Sequence, residues 1–194
     1  MPLYQDPRVL SGEPISLDLL NTRYRDRHGH HDLIDTRAAL TRWLVTSPQL
    51  KAYSDVYRLA DAFAFTHIRR ARDILARVHR DPHDDDNLTA FNALLVHGHP
   101  RRELTRAGLR EHLDIDDPAH LVGYLAADDY LTLITDDPER VRVCDGDCGL
   151  FFHAALRNGR RRWCSNDACG NRDRARRHYE RTKTAALRVV SAVE

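Results

Sequence analysis

The four cysteines of this 194-residue chain fall within 26 residues, at Cys144, Cys148, Cys164 and Cys169. The spacing is C-x3-C-x15-C-x4-C, two close pairs separated by a loop. Four thiolates arranged in two such pairs can close a tetrahedron around one Zn²⁺. A catalytic zinc keeps a ligand position open for water, and a full set of four sulfurs leaves none, so this site is expected to hold shape. Two disulfides are disfavoured in a cytosolic chain, and neither pair has ferredoxin spacing. In "CDGDCG" Gly146 and Gly149 permit the tight turn of a metal knuckle. Ser165 is placed to cap a helix that takes Cys169 into its first turn. A hairpin through "LFFHAALRNGRRRW", turning at Asn158-Gly159, would join the pairs. Knuckle, hairpin and helix make a small treble-clef-like zinc finger.

The segment after Cys169 fills with arginine. At 3.6 residues per turn, Arg174, Arg177, Arg181 and Arg188 share one arc, while Ala168, Ala175, Tyr179, Thr182 and Ala186 form a stripe that could pack on the body. Arg172, Arg176 and Lys183 flank that stripe. With Arg160, Arg161 and Arg162 of the hairpin, these cations are candidate contacts to a nucleic-acid backbone. The alternative is a solvated helix with local pairs such as Asp173 with Arg177. Nothing here assigns readout of particular bases.

Charge is divided along the chain. Residues 140–194 hold 13 Arg or Lys against 6 Asp or Glu, whereas residues 1–139 hold 17 against 23. A basic end on an acidic body points to a polyanionic partner. Only two of the 30 basic residues are lysine, so the clustering of charge carries weight and the choice of arginine does not.

The body reads as mainly helical. "PISLDLLNTRY" starts a short helix at Pro14, the loop "RDRHGHHD" follows, and Asp35-Thr36 caps a helix through "RAALTRWLV". The longest periodic segment runs from Pro48 to about Arg80, with apolar residues from Tyr53 through Val56 and Tyr57 to Val78 at helical spacing. Further helices are expected through "LTAFNALLVH" and "PAHLVGYLAADDYLTLI", with a hairpin in "RRELTRAGLREHLDI" around Ala107-Gly108. "TDDPERVRVC" leads by a short strand to the first cysteine. The expected fold is mainly α, with a multihelical domain over 1–138, a few short strands, and the finger over 139–194.

The residues "WCSNDACGNRDRARRHY" carry a resemblance. Cys169-Gly170-Asn171-Arg172 spells the signature of the CGNR zinc-finger family, and the flanking "RRWCS" and "RARRHY" are similar to it as well. Upstream, "ISLDLLNTRYRDR" and "HDLIDTRAALTRWL" resemble the ABATE-type helical domain that precedes such fingers. The likeness is strongest over 142–183, next over 15–44, and general in character over 51–137. It implies a stress-induced transcriptional regulator of bacteria, with the finger on DNA and the helical domain sensing a small ligand. The family's zinc ligands carry over onto Cys144, Cys148, Cys164 and Cys169, although the x3 spacing of the first pair departs from that of many relatives. Asn171 is placed to bond a knuckle thiolate or a loop carbonyl, and Arg172 to brace the hairpin or reach a phosphate.

Other features carry less. Asn21, Thr22, Arg23 and Tyr24 close an apolar helix and are candidate ligand contacts, against the alternative of an ordinary helix end. His28, His30, His31 and Asp32, joined by His97 and His99, offer a metal cluster, but a polar loop accounts for them better. Trp43, Phe63 and Phe65 are expected in the core. There is no G-x-S-x-G, Walker A or G-x-G-x-x-G motif, and no enzyme activity is expected. No apolar run approaches the roughly 20 residues that span a bilayer, and the first residues lack a secretory apolar segment. The expectation is a cytoplasmic DNA-binding protein with no membrane partner, RNA or an acidic protein being the alternative partners.

Overall fold

A six-residue helix with no exposed side lies at the centre of the body. The computed structural model describes residues 5–53, 61–154 and 161–191, with side chains to 183 in the last stretch. In it α1, Ile15–Leu20, is buried along its whole length, including Ser16 and Asp18. Pro14 starts it with a fixed φ of −52°. Around it pack α2 (Arg37–Val45), α3 (Ala62–Arg80) and α5 (Leu121–Asp136), with α4 (Asp85–Leu95) covering α3 and α5 and burying Phe91. Leu17, Leu19, Leu40, Trp43, Ile68, Leu75 and Ala126 form the middle of one continuous core.

The cap read at Thr36 forms, its hydroxyl accepting from the Ala39 N–H at 3.2 Å. The helix in the longest periodic segment, α3, is shorter than the periodicity predicts. Asp61 accepts from the Ala64 N–H at 2.8 Å, and this cap starts α3 thirteen residues after Pro48; Val56 and Tyr57 lie outside the described residues. Phe63 is 72% exposed, so it is not core, because the first turn of α3 turns that side to solvent.

The three strand pairs among the described residues are antiparallel two-stranded hairpins: β1 (Arg23–Asp26) with β2 (Gly29–Asp32), β3 (Gly98–Thr105) with β4 (Gly108–Ile115), and β5 (Val141–Val143) with β6 (Phe151–His153). The hairpin read at Ala107-Gly108 is present, with Gly108 at φ 109°, where a side chain would be strained. The segment read as a polar loop, "RDRHGHHD", is instead the β1–β2 hairpin. Gly29 turns it at φ 121°, and Tyr24 stacks on His31 across it at 4.7 Å. The sixth helix, α6, spans Asn171–Ser191. Among the described residues no helix is long and apolar enough to cross a membrane.

Two buried ion pairs fasten the periphery to the core. Arg8 bonds Asp18 at 2.6 Å and the Trp43 carbonyl at 2.9 Å, and lies over the Trp43 ring. Burial pushes the Asp18 carboxyl up to about 6 against the pull of Arg8. Arg72, only 1% exposed on α3, grips Asp32 with both Nη atoms at 2.7 and 2.9 Å and also donates to the Thr22 hydroxyl at 2.8 Å. Burial raises the Asp32 carboxyl, but the Arg72 bonds outweigh it and hold the group below its ordinary 3.8.

Arg72→Leu removes two charge-assisted bonds to the half-buried Asp32 and leaves it only the exposed Arg23, so it is expected to cost about 2 kcal/mol in urea denaturation. The sign with pH follows from the depressed Asp32 pKa. The stability it contributes is complete above the ordinary value of 3.8 and is lost as pH falls through the folded value. This acid limb should shrink in Arg72→Leu.

Candidate metal centre and basic helix

The C-terminal unit is built around sulfur. β5 runs into Cys144, the knuckle turns at Gly149 with φ 68°, and β6 returns, with the Cys144 N–H bonding the Leu150 carbonyl at 2.8 Å. The pairing partner of β6 is therefore the strand before the knuckle. The expected turn at Asn158-Gly159 lies outside the described residues, as does Arg160. Ser165 caps the next segment through the Ala168 N–H at 3.2 Å, as its position suggests. A single π-type turn, Asn166–Gly170, carries Cys169 inward before α6 begins.

This brings Cys144, Cys148, Cys164 and Cys169 together, all buried, with their sulfurs within 4.8 Å of one another. Cys148, Cys164 and Cys169 form a triangle with each S···S separation 3.7 Å. Sulfurs at the corners of a tetrahedron with Zn–S bonds of about 2.3 Å would stand about 3.8 Å apart. The cysteines are thus positioned to bind one metal ion, in keeping with one structural Zn²⁺. Backbone amides support the sulfurs: the N–H groups of Gly146 and Cys164 point at the Cys144 sulfur at 3.4 and 3.3 Å. Without a cation Cys144, Cys148 and Cys164 cannot share ionisation. The hydrogen bond from Cys164 pulls Cys148 down to about 5, the same contact drives Cys164 far up, and burial raises Cys144. Metal binding would remove that conflict and release protons.

Arg172 donates to the Cys169 sulfur at 3.0 Å, a bond from α6 to a ligand atom. Its neighbour Asn171 donates to the Asp167 carbonyl at 2.9 Å and accepts from Arg174. Of the two residues, Arg172 is the one that reaches a thiolate, and Asn171 takes a carbonyl.

The remaining arginines divide into two groups. Arg161 points inward, donating to the Trp163 and Cys164 carbonyls and lying 4.5 Å from the Phe152 ring centre. Arg162 pairs with Asp145 at 2.6 Å across the knuckle. These two brace the finger. On α6, every side chain from Arg174 to Lys183 is exposed. The stripe of Ala175, Tyr179 and Thr182 does not pack on the body, and Tyr179 is 68% exposed. Rooted at the metal centre, the helix presents Arg174, Arg176, Arg177, Arg181 and Lys183 to solvent. Arg176 and Arg177 share Asp173 at 2.9 and 2.6 Å, the local pairing considered for this helix. A cavity of about 280 Å³ beside its root is lined by Arg25, Arg27, Arg172 and Arg176 and, in balance, by Asp26, Asp145, Asp147 and Asp173.

Asn21 to Tyr24 have a different position from the one expected of ligand contacts. Asn21 is buried, and its amide pairs twice with the Phe151 backbone, accepting from N–H at 2.7 Å and donating to C=O at 2.9 Å. Thr22 is fully buried and bonds the Leu19 carbonyl. Arg23 pairs with Asp32 and Asp73, and Tyr24 packs against the cysteine cluster. The segment is the joint between body and finger. Two further bonds reinforce it, from His153 N–H to Glu13 at 2.8 Å and from Arg25 N–H to the Cys148 carbonyl at 2.9 Å. No local sequence signal marks this joint, because Asn21 and Phe151 are 130 positions apart.

Purified protein is expected to carry one zinc per chain by elemental analysis, and Cys148→Ser to lose it. A strong chelator should collapse the signals of residues 141–183 while α1 to α5 keep their helicity. Asn21→Ala should retain zinc yet lose the protection of the Phe151 amide from hydrogen exchange.

Residues 13–137 match the model of the ABATE family, described as a "putative stress-induced transcription regulator", and residues 140–182 match the CGNR zinc finger. A comparison with curated proteins finds no match. The order of the two matches is the one that the resemblance implies, and the finger match contains all four metal-positioned cysteines. The chain belongs to the ABATE family and ends in a CGNR zinc finger.

Proposed function

We propose that this protein is a DNA-binding transcriptional regulator, working in the cytoplasm, whose zinc-held finger contacts the nucleic-acid backbone through α6 and whose helical body senses a small ligand. The observation that carries the reading is the exposure of α6: over its described side chains, Arg174 to Lys183, five cations stand on a helix that leaves the metal centre without packing on the body. A helix held only for structure would bury an apolar face, since tertiary packing supplies most helical stability in water. Exposure of this kind suits a surface completed by a partner, and the excess of basic residues after 140 suits a polyanion.

Arg174, Arg176, Arg177, Arg181 and Lys183 are the proposed backbone contacts, with Arg172 divided between Cys169 and the groove. Arg161 and Arg162 are assigned to bracing, on the contacts described above. The polar groups of Asn21, Thr22 and Arg23 already have protein partners, which weighs against this segment as the ligand contact. No catalytic step is assigned to the chain. An RNA or an acidic protein could meet the same helix, and competition separates these partners from DNA.

Replacing Arg174, Arg177 and Arg181 by Ala should weaken duplex binding and reduce the log–log salt slope by about 2.7, at about 0.9 per lost phosphate contact. Zinc content and helicity should not change. Equal binding by the variant would remove α6 from the interface. Displacement of duplex by RNA, but not the reverse, would assign the helix to RNA.

A further inference from the structure

A cavity of about 110 Å³ lies in the body where α3, α4 and the start of α5 meet. His67, Arg70 and Ile74 line it from α3, where positions i, i+3 and i+7 share one side of the helix. Leu94 comes from α4, His97 from the turn after it, and His120 from the 3-10 turn Pro118–His120 that leads into α5. The lining is divided in chemistry. One part carries a guanidinium and three imidazoles, the other is aliphatic, and among the described residues no carboxylate lines it.

The polar part is short of acceptors. Among the described residues, the side chains of His67, Arg70 and His120 have no hydrogen bond or ion pair. The three rings are half-buried and hold one another. His97 and His120 lie parallel, 3.6 Å between centres, and His67 stands edge-on to His120 at 4.2 Å. Stacked rings cannot converge on one metal ion, whereas the two oxygens of a carboxylate can accept from donors that stand apart. Two acids lie near and are engaged elsewhere. Asp116 bonds His99 at 2.8 Å and stands 3.7 Å from His97, and Asp117 accepts from the Ala119 N–H at 2.8 Å. Burial, followed by repulsion from His97 and His67, lowers the His120 pKa against the pull of those two carboxylates. An anion in the cavity would offset that repulsion and give partners to half-buried nitrogens that are otherwise costly.

We propose that this cavity binds a small monocarboxylate, with its charged end on Arg70 and the imidazoles and its short apolar part against Ile74 and Leu94. Arginine meets a carboxylate with two parallel bonds, which fixes orientation as well as charge. The aliphatic wall favours an organic acid over an inorganic anion, which would leave that wall without a partner. Size sets a limit. A cavity of roughly 150 Å³ takes benzene, so one of about 110 Å³ suits an acid of about three to five carbons. The proposal names the class of ligand that the body senses and in that respect rests on the proposed function. Binding itself needs neither the finger nor DNA.

The test is calorimetric titration of the zinc-loaded full-length protein with butyrate, without DNA, beside butyramide and inorganic phosphate. Butyrate is expected to bind at one site, about 10-fold or more tightly than either comparison compound, because a hydrogen bond to a charged group is worth about a power of ten. Arg70 is exposed, so Arg70→Gln should keep its zinc and helicity while binding butyrate about 10-fold or more weakly. In the unaltered protein, butyrate should shift the imidazole signals of His67, His97 and His120 and leave those of His28, His30 and His31 in place. Absence of saturable butyrate binding would overturn the proposal, as would equal binding of butyramide or phosphate. So would full affinity in Arg70→Gln, or shifts confined to other histidines. Duplex binding is read in a separate titration, so its failure would refute the regulator and not this site.

Discussion

The arrangement of this protein depends on one side chain at the end of its central helix. Asn21 presents an amide to the backbone of Phe151 as a neighbouring strand would, one bond given and one accepted. The edge of β6 is thereby satisfied from within, and the knuckle is fixed to the buried α1. Each bond is modest by itself, but a buried amide left without its partners costs about 1–3 kcal/mol. Glu13 and the Arg25 backbone add their bonds on either side of this point. The direction in which α6 leaves the metal centre is set by this joint as much as by the cysteines.

Among the described residues α1, β1 and α3 each touch both halves of the molecule. α1 ends at the joint, and α3 passes beneath it. Arg72 of α3 bonds Thr22, next to Asn21, and His79 of the same helix meets the Phe151 ring edge-on at 5.0 Å. Burial lowers the His79 pKa, which favours the neutral ring against Phe151 and the Tyr130 hydroxyl.

Much of this was legible in the sequence wherever the deciding interaction is local. Cysteine spacing foretold the sulfur cluster because two short loops fix the ligand pairs. Thr36 and Ser165 announced their helix starts because a cap bonds only two or three residues ahead. What was not legible depends on distant partners. Periodicity placed Tyr179 and Phe63 on apolar stripes, but a stripe does not say whether anything covers it, and both are exposed. Arg161 and Arg162 looked like free cations until the carbonyls of Trp163 and Cys164 and the Asp145 carboxylate were brought beside them. Asn21 read as a helix end, and its partner lies 130 residues on.

The account centres on an exposed basic helix held by a metal centre as a contact to nucleic acid. Its most direct test is the affinity of the zinc-loaded protein for duplex DNA across a salt series. Binding whose log–log slope is about −4 to −5, near −0.9 for each cation on the exposed helix, is the predicted result. Binding absent at low salt, or indifferent to salt, would contradict the account and leave α6 as a surface for some other partner.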